Sequence, residues 1–325
     1  MEKSATADAA YRRIDLEFLS KDGSDHFDLY YKTRIFGNDK FVKFASSKPE
    51  HHDKVMTLLE SGEGIDEFYI QEEDLFKYYH HATATLRKLV NDPNCPFEKK
   101  AEKVYEVSKN IMKEFFENNA TDKVLRASDE VMEMMEECFK DVEVGFYGIS
   151  KITNKDYYTY THSVNVGLYC MTYGIKIGLP KTDVRQLGLG GMLHDVGKSK
   201  IDIKLLNKNS ALTKQEFEAI KDHAPFGEAI LREMKCYGAG IIDMAAQHHE
   251  RYNGGGYPSG LTGDDISYFA RVCKVMDVYD ALTTRRPYKK AMSAYDTLIL
   301  MKKQMVEEFD GKVLDNFIQY MGPEV

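Results

Sequence analysis

The sequence contains no uninterrupted apolar run of about 18 residues, which excludes a helix of membrane-spanning length. It also lacks an excess of positive charge. Its 44 Lys and Arg face 52 Asp and Glu, a formal net charge of −8. Bulk attraction to polymeric nucleic acid or to an anionic membrane is therefore not expected, and an anionic small molecule would have to be met by local Lys, Arg or metal ions. Cysteine is sparse, five residues with no CxxC pair. The thiols are expected to be reduced, in a cytoplasmic protein, with Cys170 and Cys273 packing inside apolar helical runs. Met1 to Ala5 carry no apolar core of a signal peptide. There is no internal repeat and no low-complexity tract.

What is present is enough for one large or two ordinary domains: 325 residues, 43% hydrophobic and 30% charged. Residues 1–92 read as a small α/β domain. Arg12 to Leu19 alternates polar and apolar, as a half-buried strand does. Phe27 to Tyr31, Phe41 to Ala45 and Glu67 to Ile70 are further strand candidates, His52 to Ser61 is a short amphipathic helix, and Glu73 to Val90 is a longer one. The pairs His51-His52 and His80-His81 lack acidic or Cys partners at ligand spacing and read as surface or cap residues. Asn91-Asp92-Pro93-Asn94-Cys95-Pro96 breaks the pattern. Residues 93–144 then read as a helical linker, with helices over Phe97 to Asn119 and Thr121 to Lys140.

Residues 145–325 read as an all-α bundle in a mainly α chain, because helical periodicity dominates and strand signals are absent. The expected helices are Tyr158 to Ile177, Lys181 to Val196, Thr213 to Met234 with a capping box at Thr213-Lys214-Gln215-Glu216, Ile241 to Glu250, Phe269 to Thr284, and Ala294 to Phe309.

Within that bundle one stretch organises the rest: Met192-Leu193-His194-Asp195-Val196-Gly197-Lys198. An apolar run delivers His194 and Asp195 side by side, Gly197 is read as the helix stop, and Lys198 follows. A neutral imidazole beside a carboxylate suits a divalent metal, and two carboxylate oxygens can bridge two ions. Lys198 is a point charge that could meet a phosphate. An isolated His-Asp pair would serve equally as a polar helix end. Five of the ten histidines, however, fall in this half: His162, His194, His223, His248 and His249. Adjacent helical residues such as His248 and His249 diverge by roughly 100°, so they can face one cavity and bind different ions. Burying several imidazoles and the carboxylates Asp195 and Asp277 without partners would be costly, and a metal cluster removes that cost. Three successive glycines before Tyr257-Pro258 make a loop that backbone or ligand can approach closely.

These residues resemble the HD-GYP family of bacterial cyclic di-GMP phosphodiesterases, in the HD superfamily. The resemblance rests on His194-Asp195-Val196-Gly197-Lys198, His248-His249-Glu250-Arg251, Gly256-Tyr257-Pro258, Ala270-Arg271-Val272, Asp277-Val278-Tyr279-Asp280-Ala281-Leu282-Thr283 and Arg286-Pro287-Tyr288-Lys289. It covers about residues 145 to 320 and leaves the N-terminal third uncovered. It implies that His162, His194, Asp195 and Asp277 hold one metal ion and that His223, His248 and His249 hold a second, with Asp195 bridging. It implies phosphate contacts from Lys198 and Arg271, substrate contacts from Arg286 and Lys289, and a pocket loop at Gly256, Tyr257 and Pro258.

The implied reaction is in-line attack of a hydroxide shared by two divalent ions, converting cyclic di-GMP to linear pGpG, with GMP the product of a second cut. Lys198, Arg271 and the second ion would offset charge on the phosphoryl oxygens. The nitrogen-rich ligand set favours iron or manganese. Some members carry a Glu one turn before the first His that holds a third ion. Here Thr159, Tyr158 and Lys155 stand at the positions sharing the face of His162, and Asp156 is rotated away, so two ions are expected. A catalytically weak module that binds a cyclic dinucleotide is the alternative, and other cyclic dinucleotides such as cGAMP stay open as substrates. A homodimer or a signalling partner could be engaged through the N-terminal domain or the Gly-Tyr-Pro loop.

Overall fold

The computed structural model describes residues 10–14, 27–35, 38–46, 67–118, 122–139, 159–208, 210–285 and 290–321. The chain divides into two compact units, Met1–Cys95 and Pro96–Val325.

The first unit contains a four-stranded antiparallel sheet in the order β1-β4-β2-β3. Its strands are β1 Tyr11–Ile14, β2 Leu29–Ile35, β3 Asn38–Ala45 and β4 Phe68–Gln71. β1 pairs with β4 from Tyr11↔Gln71 to Ile14↔Phe68. β2 and β3 form a hairpin closed at Ile35↔Asn38. Helix α1, Leu75–Asn91, buries Leu75, Tyr78, Tyr79, Ala82, Leu86 and Val90 at three-four spacing. Phe27, ahead of β2, meets Tyr78 of α1 edge to face at 6.1 Å. The expected strand beyond Ile14, the helix His52 to Ser61, and His26, His51 and His52 lie outside the described residues.

The second unit is helical throughout its described length apart from short 3-10 turns and loops. Its helices are α2 Phe97–Asn118, α3 Asp122–Phe139, α4 Thr159–Lys176, α5 Lys181–Leu193, α6 Ile203–Leu206, α7 Lys214–Lys221, α8 His223–Met234, α9 Ala239–Gln247, α10 Tyr268–Thr283, α11 Ala294–Gln304 and α12 Gly311–Met321. α2 and α3, in the stretch read from sequence as a linker, pack against each other and against α4 and α5. Arg185 of α5 bonds Asp129 of α3 at 3.0 Å. α4 is buried on nearly every side, from Thr161 to Gly174. That is why its sequence is apolar all round and not striped. No described helix is long and apolar enough to cross a membrane.

Several boundaries differ from the sequence reading, each for a local reason. The single helix expected over Thr213 to Met234 is two, α7 and α8, meeting at Asp222. Pro225 has no backbone N–H and sits in the first turn of α8, where none is needed, so α7 cannot run through it. The capping box at Thr213 and Glu216 is present as expected. α5 ends at Leu193, before Val196, and the chain tightens into a 3-10 turn, Val196–Lys200. α11 ends at Gln304, short of Phe309, and a further amphipathic helix, α12, follows and buries Val313, Leu314 and Phe317.

Gly197 therefore does not stop the helix. It lies inside the 3-10 turn against α8, where an added β-carbon would fall 1.9 Å from the His223 carbonyl oxygen and 2.5 Å from the Gly227 nitrogen. This contact seats the turn carrying Asp195 on the N-terminus of the helix carrying His223. Gly197→Ala must push the two apart and is expected to cost about 1–3 kcal/mol, as overpacking of a filled interior does. Urea denaturation of the two proteins measures this, and an unchanged midpoint would show that the turn yields freely.

Candidate metal centre

Five histidines and two aspartates arrive at one place from five elements. His162 comes from the first turns of α4. His194 and Asp195 follow the end of α5, with Asp195 in the sparsely populated bridge conformation at φ −97° and ψ 7°. His223 opens α8, and His248 and His249 follow the last turn of α9. Asp277 lies in the middle of α10. His162, His194, Asp195, His223, His248 and Asp277 are all buried, and His249 is half-buried.

The hydrogen bonds fix how these rings present themselves. His194 Nδ1 bonds the Gly191 carbonyl at 2.7 Å, and His223 Nδ1 bonds the Ile220 carbonyl at 2.6 Å. His248 Nδ1 bonds the Met244 carbonyl at 2.9 Å. His162 Nδ1 bonds Asp280 Oδ2 at 2.7 Å. Carbonyl and carboxylate oxygens only accept, so Nδ1 carries the proton in each ring. In a neutral ring Nε2 is then a bare lone pair aimed inward. His223 Nε2 and His248 Nε2 face one another at 3.3 Å. Two lone pairs at that distance repel unless a proton or a cation lies with them.

Asp195 sits between the rings. Its Oδ2 is 3.3 Å from His194 Nε2 and 3.7 Å from His162 Nε2. Its Oδ1 is 3.4 Å from His223 Nε2 and 3.7 Å from His248 Nε2. One oxygen thus faces each pair of imidazoles. His162 Nε2 is also 3.2 Å from Asp277 Oδ1. Ligand atoms of Asp195, His223, His248 and His249 lie within 4.8 Å of one another, and those of His162, His194 and Asp277 form a second such group. His194 Nε2 and Asp195 Oδ1 are fully buried without a hydrogen bond in good geometry.

The protonation balance follows this division. Burial alone would push the Asp195 carboxyl up, but Lys198 and His194 outweigh it and hold it well below the usual carboxylate range. Asp277 is held low in the same way, burial being outweighed chiefly by the bond from His162. Burial pulls the His162 imidazole down, yet Asp277 and Asp280 raise it to about 9. His194 reaches about 9 through Asp195 against the same opposition. Burial lowers His223 to about 3 and lowers His248, and it holds His249 well below the usual range with help from His248. Asp195 and Asp277 draw protons onto His162 and His194, while His223, His248 and His249 stay neutral with lone pairs to offer. The orphaned lone pairs, the paired nitrogens and the nitrogen-rich donor set fit divalent ions.

The outer partners are ordered too. Asp280 takes the His162 proton through Oδ2 and accepts from Asn165 Nδ2 through Oδ1 at 2.9 Å. Asn165 Oδ1 in turn accepts from the Tyr105 hydroxyl of α2 at 2.6 Å. Such carboxylate–imidazole pairs orient metal-binding rings. Glu250, buried, accepts the backbone N–H groups of Ser259, Gly260 and Leu261 and so holds the glycine loop. Gly256 lies where an added β-carbon would meet the Arg251 nitrogen at 2.3 Å. The Tyr257 ring stacks on His249 at 4.6 Å, and Lys221 sits 5.3 Å from the Tyr257 centroid. Pro258 is exposed and follows a cis peptide bond.

A cavity of about 260 Å³ opens onto this centre, lined by His162, Asp195, Lys198, His249, Lys274 and Asp277 with Val278, Ala281 and Leu282. Lys198 donates to Asp195 Oδ2 at 2.5 Å. Arg271, expected at the substrate phosphates, is not among the residues lining the cavity. Its guanidinium bonds Asp264 at 2.7 Å and Asp310 at 2.8 Å. Six residues before Asp277, it stands about 120° around α10 from that ligand face, and it ties the helix to the start of α12. Arg286 and Lys289, and the Asp156 and Tyr158 positions of the third-ion argument, lie outside the described residues. The sequence reading assigned no role to Asp280 or Lys274. Asp280 is one turn beyond Asp277, and Lys274 is a charge inside an otherwise apolar run one turn before it. Both therefore share its helical face.

Comparison with known proteins identifies the family. The chain is 38% identical over 175 residues to a cyclic di-GMP phosphodiesterase of Pseudomonas aeruginosa, covering 53% of this chain and 41% of that one. It is 33% identical over 156 residues to 3'3'-cGAMP-specific phosphodiesterase 3 of Vibrio cholerae, covering 48% and 34%. The chain thus spans less than half the length of these relatives. An HDG"Y"P protein from Bdellovibrio bacteriovorus shares the fold, with a TM-score of 0.67 at 17% identity over 95% of this chain and 98% of that one. The HD domain family matches residues 149–313, half of the sequence. The chain belongs to the HD domain family, and Gly256-Tyr257-Pro258 carries the signature of its HD-GYP branch.

Proposed function

We propose that the chain is a metal-dependent phosphodiesterase that opens cyclic di-GMP to linear pGpG, with GMP the product of a second cut. The observation that carries this reading is Asp195, each of whose oxygens faces a separate pair of imidazole nitrogens. His162, His194 and Asp277 would hold one divalent ion and His223, His248 and His249 another, with Asp195 shared. The donor set favours iron or manganese over magnesium. Such ions supply Lewis-acid polarisation of a phosphoryl group and a nucleophile at neutral pH.

The chain's own side chains do the rest. Asp280 keeps the His162 proton on Nδ1 and so leaves Nε2 for ligation. Lys198, on the cavity wall beside Asp195, offsets negative charge that develops on phosphoryl oxygens. Tyr257, stacked on His249, offers a flat face beside the cavity for a sugar or base. Cyclic di-GMP is favoured as substrate because several relatives carry that activity in their names. Relatives named for 3'3'-cGAMP make that dinucleotide the comparison substrate. Hydrolysis of both by anaerobically purified protein, with product analysis and elemental analysis, tests the reading. Turnover of neither would overturn it.

Two substitutions separate metal binding from charge stabilisation. The wild-type chain is expected to hold two ions. Asp195→Ala should abolish turnover and sharply lower bound metal while circular dichroism keeps its helical form; two ions per chain with normal activity would sink the assignment. Lys198→Ala should leave metal content near wild type and raise KM or lower kcat, together by about 2–4 kcal/mol of transition-state stabilisation. Metal loss or unfolding in that variant would make Lys198 structural.

A further inference from the structure

Lys274 is a buried cation that the metal centre does not use. It lies on α10 three residues before Asp277, is 8% exposed, and lines the cavity together with Lys198 and the candidate ligands. The two cavity lysines differ in one respect. Lys198 is bound to Asp195, whereas Lys274 has no hydrogen bond or ion pair among the described residues. Its nearest acidic influences, Asp277 and Glu308, act on it through space, and Arg251 opposes them.

Burying an ammonium without a partner is costly and is seldom kept without a function. Packing does not require it, because an unbranched apolar chain of the same length would fill the same space on the face of a helix whose neighbours Val272, Cys273, Val275 and Met276 are fully buried. The cavity volume, about 260 Å³, falls below the range of pockets that enclose a whole drug-sized molecule, ~300–1,000 Å³. A phosphodiester group with its adjoining sugar suits it better than an entire dinucleotide. A phosphodiester is an anion whose nonbridging oxygens would satisfy the ammonium.

We propose that Lys274 is a substrate-binding residue that receives the phosphodiester entering the cavity, donating to a nonbridging oxygen that Lys198, engaged by Asp195, does not cover. This rests on the reading of the site as a phosphodiesterase centre, and it supplies a cation on a cavity wall that Arg271, turned to Asp264 and Asp310, does not line.

The test uses the metal-replete full chain as wild type, Lys274→Met and Lys274→Arg. Met matches the length without the charge, and Arg keeps the charge. Steady-state hydrolysis of cyclic di-GMP is measured with equilibrium binding of GMP and inorganic phosphate by titration calorimetry, metal content and thermal melting. Lys274→Met should raise KM and weaken GMP binding at least tenfold, with metal content unchanged and melting temperature equal or higher. Lys274→Arg should recover most of the loss. Wild-type KM and affinity in Lys274→Met would overturn the proposal. So would an equal loss in both variants, loss of metal, or a lower melting temperature. Should wild-type protein not turn over cyclic di-GMP, the phosphodiesterase reading fails and the calorimetry alone decides the lysine. Binding lost in Lys274→Met upholds its anion role, and equal or undetectable binding overturns it.

Discussion

A buried carboxylate ringed by imidazole nitrogens is the constraint on which the structure depends. Asp195 is 1% exposed, and four imidazole nitrogens and one ammonium lie within 3.7 Å of its oxygens. A single lysine covers one oxygen. The other is left without a hydrogen bond. An interior of low dielectric makes such a group expensive unless positive charge is held beside it. The rings that surround it divide into two that accept protons readily and three that resist them. Protons on the two basic rings can balance the carboxylates, but they leave the three low-pKa rings with inward nitrogens that have no proton to share, and divalent ions would satisfy the carboxylates and those nitrogens together.

The helices exist in positions that make this arrangement possible. Five elements contribute candidate ligands, so no single helix holds the centre, and the packing between helices sets its geometry. Three of the four Nδ1 bonds that aim the rings go to carbonyls three or four residues earlier, at the ends of α5, α7 and α9. Helix ends leave their last carbonyls without intrahelical partners. A histidine placed just beyond each end bonds a last-turn carbonyl through Nδ1 and, in doing so, turns its Nε2 inward. His162 lies near the start of α4, away from any helix C-terminal end, and Asp280 serves the same purpose there. The helix termini and the candidate metal ligands therefore solve one problem together, and the 3-10 turn after α5 belongs to that solution because it brings Asp195 onto His223.

Much of this was legible in the sequence, and the remainder was hidden for identifiable reasons. The helical character of the second unit follows from periodicity, and the convergence of His162, His194, Asp195, His223, His248, His249 and Asp277 follows from residue type and motif. Helix ends were less legible. Pro225 splits Thr213 to Met234 although His223 and Phe226 continue the periodic pattern, and a first-turn proline looks the same as a kink until the N-cap is seen. Gly197 reads as a stop because glycine commonly ends helices; its real role is a close backbone contact with a residue 26 positions away, which no local pattern encodes. Arg271 is harder to read: a cation near a candidate ligand helix suggests a phosphate contact, but its Nη1 meets Asp264, seven residues earlier, and Asp310, a pairing that no local pattern encodes.

Asp280 and Lys274 show how a helix face can be read more fully. With Asp277 they occupy positions one turn to either side on α10, so a ligand at one position directs attention to residues three before and three after it. The residue after supplies an orienting carboxylate that continues through Asn165 to the Tyr105 hydroxyl, joining α2 to the centre by direct hydrogen bonds. The residue before supplies a cation in the cavity with no ion pair among the described residues. One face of one helix thus carries a candidate ligand, the group that orients a neighbouring candidate ligand, and a charge lining the cavity. That density of polar function on a buried helix runs against local stability. The long apolar runs around it, from Leu187 to Leu193 and from Val164 to Tyr173, supply the burial that offsets the cost.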